Sequence, residues 1–122
     1  MSTIKDKNLA TIGQQEVDWA ARQMKVLEEI KTGFSSSKPL NGLNIGACMH
    51  VTKETANLML TLKAAGANVA LCASNPLSTK DSVAAYLSEN DIEVHAVHGV
   101  SNDDFFKHLN SVLDTKPDIT MD

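Results

Sequence analysis

The sequence predicts an α/β fold: a parallel sheet with helices on both faces, preceded by one further helix. Short continuous apolar runs, suited to strands covered on both sides, occur at 43–49 (LNIGACM), 68–72 (NVALC) and 92–97 (IEVHAV). Between them stand segments whose apolar residues recur at three- and four-residue steps, the period of an amphipathic helix. Strands separated by helices need crossover connections, and those connections make the strands parallel.

Taken in order, Ile12, Val17, Ala20, Ala21, Met24, Val26, Leu27 and Ile30 fall at helical spacing and predict one amphipathic helix over 11–30, with Trp19 and Arg22 off its main stripe. The following GFSSSKP reads as a linker, with Gly33 stopping the helix and Pro39 preventing another from starting early. Residues 1–38 are thus expected as leading helix and linker, and 39–122 as the α/β body. The body opens with the strand 43–49. Thr55, Leu58, Met59, Leu62 and Ala65 then predict a helix that Gly66 ends.

The second strand, 68–72, leads into SNPLST and a helix. Ser78 and Asp81 have the spacing of a capping box, and Val83, Ala84 and Leu87 form the inner face. After the third strand, Ser101 and Asp104 give a second capping signal ahead of Phe105, Phe106, Leu109, Val112 and Leu113. Lys116-Pro117 then precedes DITMD, a fourth strand with no helix after it. The expected architecture is a leading helix followed by βαβαβαβ, Rossmann-like or flavodoxin-like and incomplete at the C-terminus.

Composition narrows the function classes. At 122 residues the chain is one domain at most, which leaves part of an enzyme and a stand-alone binding module both open. Eleven Lys and Arg against 15 Asp and Glu give a net charge of -4, with no basic run to grip a phosphate backbone, so no nucleic-acid partner is expected. No apolar run approaches the roughly 20 residues of a membrane span, and the polar start MSTIKDKN lacks the layout of a secretion signal. The expected location is cytoplasmic, where Cys48 and Cys72 read as small core residues.

In such a sheet ligands bind outside the carboxyl ends of the strands, where the strand order reverses, and His50 lies just past the end of the first strand. Thr52 is placed to cap the helix that follows, and Glu54 favours the dipole of its first turn. His50 has no such structural task, and an imidazole beside a hydroxyl and free helix amides suits a polar ligand. The SNPLST loop presents Ser74, Asn75, Ser78 and Thr79 at the end of the second strand, where Asn75-Pro76 forms a turn and Ser78 a cap. His95 is expected to be solvated, and His98 is a weaker crevice candidate. Cys48, His50, Cys72 and His98 all lie near strand ends but include no close ligand pair, so no metal site is expected. The chain has no GxGxxG, GxxxxGK[ST] or GxSxG. Nor does the first strand end in the paired acids of a phosphoreceiver.

SKPLNGLNIGACMHVTKET, LKAAGANVALCASNPLSTKDSVAAYL and KPDITMD together resemble the amino-terminal part of the S-adenosylhomocysteine hydrolase (adenosylhomocysteinase) family, and LATIGQQEVDWAARQM is similar to its first helix. The likeness runs from Leu9 to Asp122. It rests on the HxTxET string at His50–Thr55 and the SNPLST loop, in the right order and spacing. The resemblance implies a substrate-binding domain and an enzyme that converts S-adenosylhomocysteine to adenosine and homocysteine. In that family a bound NAD oxidises the 3'-hydroxyl, homocysteine leaves by elimination, water adds, and the ketone is reduced again.

By the same resemblance His50 acts in acid–base or water-positioning work near the ribose and the departing sulfur. Thr52 bonds the ribose, and Glu54 and Thr55 meet the adenine edge. Ser74, Asn75 and Asp122 complete the substrate contacts, while NAD belongs to a downstream domain and no cofactor-binding residue lies in this chain. A homotetramer is also implied. Two departures stand out: Ser74 occupies a position where many members have cysteine, and Asp122 matches only the first residue of the family's Asp-Asp-Gly. A free-standing flavodoxin-like module for a nucleoside, and a non-catalytic interaction domain, remain the alternatives.

Overall fold

A computed structural model describes residues 1–122. Its elements run α1 (Ala10–Ala21), α2 (Lys25–Ser37), β1 (Asn44–Cys48), α3 (Lys53–Ala64), β2 (Asn68–Cys72), α4 (Asp81–Glu89), β3 (Glu93–His95), α5 (Asn102–Leu113) and β4 (Ile119–Met121). The four strands form one parallel sheet in the order β3-β2-β1-β4, with Ile45 facing Val69 on one side and Ile119 on the other. This is the predicted Rossmann-like arrangement.

Strand order explains the placement of the helices. The chain steps outward from β1 to β3 and then returns past β1 to β4, so a constant crossover hand puts α3 and α4 on one face and α5 on the other. On the first face Ile45, Ala47, Val69, Leu71 and Val94 meet Val17, Met59, Val83 and Leu87 in the main core. On the second, Ala70 and Cys72 pack against Val112 of α5. Gly46 lets α5 approach, since a Cβ there would lie 3.1 Å from both Val112 and Pro117. Met59, Leu71 and Leu87 are fully buried, and each such side chain stabilises by about 1.5–3 kcal/mol.

The single leading helix expected over 11–30 is two helices. Met24 leaves helical geometry at φ -116° and ψ 57°. The break follows from packing. α1 buries Ala10, Gly13, Val17 and Ala20, a narrow stripe of small residues that lets it lie close on α4. Beyond Ala21 a straight helix would leave the core, so the chain bends and α2 lies against α3 with no fully buried residue of its own. Ser82 Oγ donates to Glu16 Oε1 at 2.6 Å and Asn57 Nδ2 to the Val17 carbonyl at 3.1 Å, tying α1 to both neighbours.

Nor is GFSSSKP a linker: α2 continues through Gly33 to Ser37 and stops where Lys38 turns left-handed. Gly33 faces open space, and the hydroxyls of Thr32, Ser35 and Ser37 bond back to carbonyls one turn earlier. Gly66 does end α3, at φ +98°. Thr52 and Ser101 cap α3 and α5 as expected, but Ser78 does not cap α4. The residue before that helix is Lys80, and no side chain caps it.

His95 is buried rather than solvated. Thr3 runs beside the outer edge of β3, donating its amide to the Val94 carbonyl at 2.8 Å and accepting from the Ala96 amide at 3.0 Å. His95 Nδ1 meets Thr3 Oγ1 at 3.0 Å and Nε2 meets Glu93 Oε1 at 2.8 Å. The polar N-terminus thus covers an edge that would otherwise be free. β3 itself is three residues, shorter than the predicted 92–97.

Two outcomes follow from this packing. A Cβ on Gly13 would lie 2.0 Å from the Ser82 carbonyl oxygen, so Gly13→Ala should lower stability by about 3 kcal/mol through forced separation of α1 and α4, read by urea unfolding. His108 is buried on α5, its ring 6.4 Å from that of His95, and burial holds its pKa below the ordinary imidazole value, with the nearby His95 pushing the same way. Below about pH 6.5 the unfolded chain therefore binds the proton that the folded one resists. The melting temperature should fall between about pH 7.5 and 5.5, and a His108→Gln variant with an undiminished slope would assign that loss elsewhere.

Candidate functional site

β1 ends at Cys48, and Met49 extends its ladder by donating to the Cys72 carbonyl at 3.0 Å. Val51, fully buried, then forms a parallel bridge with Thr79. Its amide donates to the Ser78 carbonyl at 2.8 Å and its carbonyl accepts from the Lys80 amide at 2.9 Å. The Thr52 amide also donates to the His50 carbonyl at 3.0 Å, closing a three-residue turn about buried Val51, with His50 exposed and Thr52 half-buried on either side of it. Thr52 is extended at φ -117° and ψ 169°, and its Oγ1 accepts from the Thr55 amide at 3.4 Å to start α3.

The loop after β2 is folded by its own side chains. Asn75 Oδ1 accepts from the Leu77 amide at 2.8 Å, and Ser78 Oγ accepts from the Asn75 amide at 3.2 Å while donating to the Asn75 carbonyl at 3.1 Å. That turn brings Ser74 against His50, with Ser74 Oγ in contact with His50 Nδ1 and 3.3 Å from Ser78 Oγ. Ser78, expected as a helix cap, is instead the centre of this turn.

Beside the polar cluster an open groove of about 630 Å³ lies between the start of α2 and the start of α3. Met24, Leu27, Met49 and Leu58 supply apolar wall, and Glu54 and Thr55 the polar rim. The break before α2 creates this space, so the wall residues Met24 and Leu27 could not be assigned to a site from a helix drawn straight through them. Their signal in the sequence was an apolar stripe on a segment with too few small residues to pack closely. The Glu54 carboxyl is held below the usual carboxylate range, first by its own backbone amide at the helix start and also by Lys53, whose Nζ lies 3.3 Å away. It is an acceptor at neutral pH.

Strand order reverses between β1 and β4, and His50 and Asp122 follow those two strands. Of the predicted site residues, His50, Ser74 and Asn75 share one hydrogen-bonded cluster, Thr52 joins Thr55 at the head of α3, and Glu54 and Thr55 line the groove. His98 stands apart: it is exposed in the turn before α5, with its backbone amide on Asp81 Oδ1 at 3.0 Å. Cys72 is pushed up to about 12, first by burial and then by Cys48 beside it, so it persists as a thiol in the sheet. No three His, Cys, Asp or Glu side chains are grouped to hold a metal ion. No helix is long and apolar enough to cross a membrane.

The sequence model of the S-adenosyl-L-homocysteine hydrolase family matches residues 1–122. Among curated relatives, the adenosylhomocysteinase of Aquifex aeolicus is 49% identical over 120 residues, that of Sulfolobus acidocaldarius 47% over 119 and that of Thermosynechococcus vestitus 48% over 120. Each alignment takes in 98% of this chain but only 28–29% of the relative, so the chain spans less than a third of the length of the proteins it matches. With a match that begins at Met1, runs to Asp122 and contains the whole crevice from His50 to Asn75, the chain belongs to the S-adenosyl-L-homocysteine hydrolase family.

Proposed function

We propose that this chain is the amino-terminal part of the substrate-binding domain of an adenosylhomocysteinase that reversibly hydrolyses S-adenosyl-L-homocysteine to adenosine and L-homocysteine. The observation that carries the reading is the adjacency of a polar cluster, His50 with Ser74 and Ser78, to an apolar groove rimmed by Glu54 and Thr55. A nucleoside has the matching parts, a flat apolar base with donor and acceptor edges and a sugar rich in hydroxyls.

In this reading the base lies along Met49 and Leu58, the Glu54 carboxylate accepts from its exocyclic amine, and Thr55 meets the same edge. Thr52 and Asn75 bond ribose hydroxyls, and Asp122 approaches from the far side of the crevice. His50 moves or positions a proton near the leaving sulfur, with Ser74 against its ring. NAD, the family's cofactor, does not fit the residues of this chain. No strand-to-helix turn carries the glycines a pyrophosphate needs, and the α3 N-terminus is already capped by Thr52 and faced by Glu54. The cofactor would be held by sequence outside these 122 residues. Cytoplasmic location and a homotetramer belong to the same proposal, supported by the family resemblance.

In a chimera joining this chain to the carboxyl-terminal remainder of the Aquifex aeolicus relative, homocysteine release from S-adenosylhomocysteine should be measurable, and His50→Ala should lower kcat by about 10²–10⁴. Unchanged turnover would remove His50 from the chemistry. The 122-residue chain by itself should show no hydrolysis and weak or undetectable adenosine binding by calorimetry, because only one wall of the site is present. Micromolar binding would instead favour a free-standing nucleoside module.

A further inference from the structure

We propose that α2 is a movable wall of the groove: it detaches and melts as one unit between Met24 and Lys38 while the rest of the fold stays intact, and a ligand in the groove holds it in place. The motion follows from how α2 is attached, whatever the groove binds. Only the ligand that closes the wall rests on the reading of the groove as the base site.

Apolar contact alone attaches α2. No hydrogen bond and no ion pair joins it to another element, and the hydroxyl bonds of Thr32, Ser35 and Ser37 end on its own carbonyls. None of its residues is fully buried, none belongs to the main core or packs directly against it, and Val26 and Ile30 are exposed. α1 differs on each count: it buries Ala10, Gly13, Val17 and Ala20, and Asn57 and Ser82 tie it to α3 and α4. Both ends of α2 are breaks. Met24 leaves helical angles and supplies no side-chain cap, and Lys38 is left-handed at φ 46°, where a β-carbon crowds the following carbonyl. At the breaks the chain is held again, by the Met24 amide on the Ala21 carbonyl at 3.0 Å and the Leu40 amide on the Ala65 carbonyl at 2.9 Å.

Detachment leaves a helix of 13 residues without a partner, and helices of about that length are marginal in water even when rich in alanine. From Thr32 to Ser37 every residue but Phe34 is Thr, Gly or Ser, so the freed segment melts. The groove then loses Leu27 and Ile30 and keeps Met49, Leu58, Glu54 and Thr55. A ligand surface that touches α2 has those contacts only while the wall is in place, so the ligand favours that form by the difference in contacts. A flat base supplies such a surface, with its polar edge turned to the rim that α3 retains.

Native-state hydrogen exchange of the 122-residue chain, resolved by residue in NMR spectra at low urea, reads the opening. The amides from Glu29 to Ser37 should share one protection level, below that of α3. Gly33→Ala is the discriminating variant, because the added methyl meets open space. Alanine in place of glycine in a helix interior should raise the protection of those amides about fivefold and leave α3 and β1 unchanged. α2 amides as protected as those of α3, or a rise shared equally by every core amide, would mean that α2 opens only with the whole fold and would overturn the proposal. In the chimera, saturating adenosine should raise the protection of α2 more than that of α1, which contributes nothing to the groove. A chimera that turns over substrate yet leaves α2 exchange unchanged by adenosine overturns the closing of the wall. Absence of turnover tells instead against the reading of the groove, and exchange in the 122-residue chain decides the movable wall separately.

Discussion

Val51 is the residue on which the arrangement of the site depends. It is fully buried at the point where β1 leaves the sheet, and both its backbone groups are bonded to the loop that follows β2. It sits at the centre of a tight turn closed by the Thr52 amide on the His50 carbonyl, which leaves His50 exposed, and its own bonds draw Ser78 and Lys80 alongside. Without that tie the segment 49–52 and the loop 73–80 would each be short connectors over the sheet. With it they form one wall, in which a hydroxyl from the second loop meets the imidazole on the first. Thr52 then serves twice, closing that turn and starting α3.

A second constraint shapes the groove. α1 can lie close on α4 only because its inner stripe is Ala10, Gly13, Val17 and Ala20, and that closeness fixes where α1 must stop following the core. The bend at Met24 sends α2 along α3, leaving an apolar space beside Glu54 and Thr55. Packing far from the crevice thus determines whether the crevice has an apolar side. The other face of the sheet contributes little to this, since α5 alone covers it and the space beside Gly46 is filled by Val112 and Pro117.

Much of this was legible before any coordinates. Continuous apolar runs and helical spacing placed all four strands and the three body helices, and the crossover rule converted that list into a parallel sheet with its crevice at His50. The HxTxET string and the SNPLST loop pointed to the family to which the chain belongs. The misreadings share a cause. Gly33 and the serines after it looked like a linker because their propensities are weak, yet back-bonding hydroxyls and contact with α3 keep α2 helical. The apolar spacing of 11–30 continued across Met24 because both helices need an inner face, and spacing alone carries no information about a change of direction.

The sequence by itself determined what depends on neighbours within a turn or two: which segments from β1 onward are strands and which are helices, where Thr52 and Ser101 cap them, and which residues stand at the strand ends. Only the tertiary structure decided what depends on partners far along the chain. His95 is buried because Thr3, 92 residues earlier, runs along the edge of β3. Ser78 is held to the first loop because the Val51 amide reaches its carbonyl from beyond the end of β1, and His50 meets Ser74, 24 residues further along the chain. Periodicity records burial on one element at a time, whereas the direction of a hydrogen bond is set by whichever groups the fold brings within 3 Å or so.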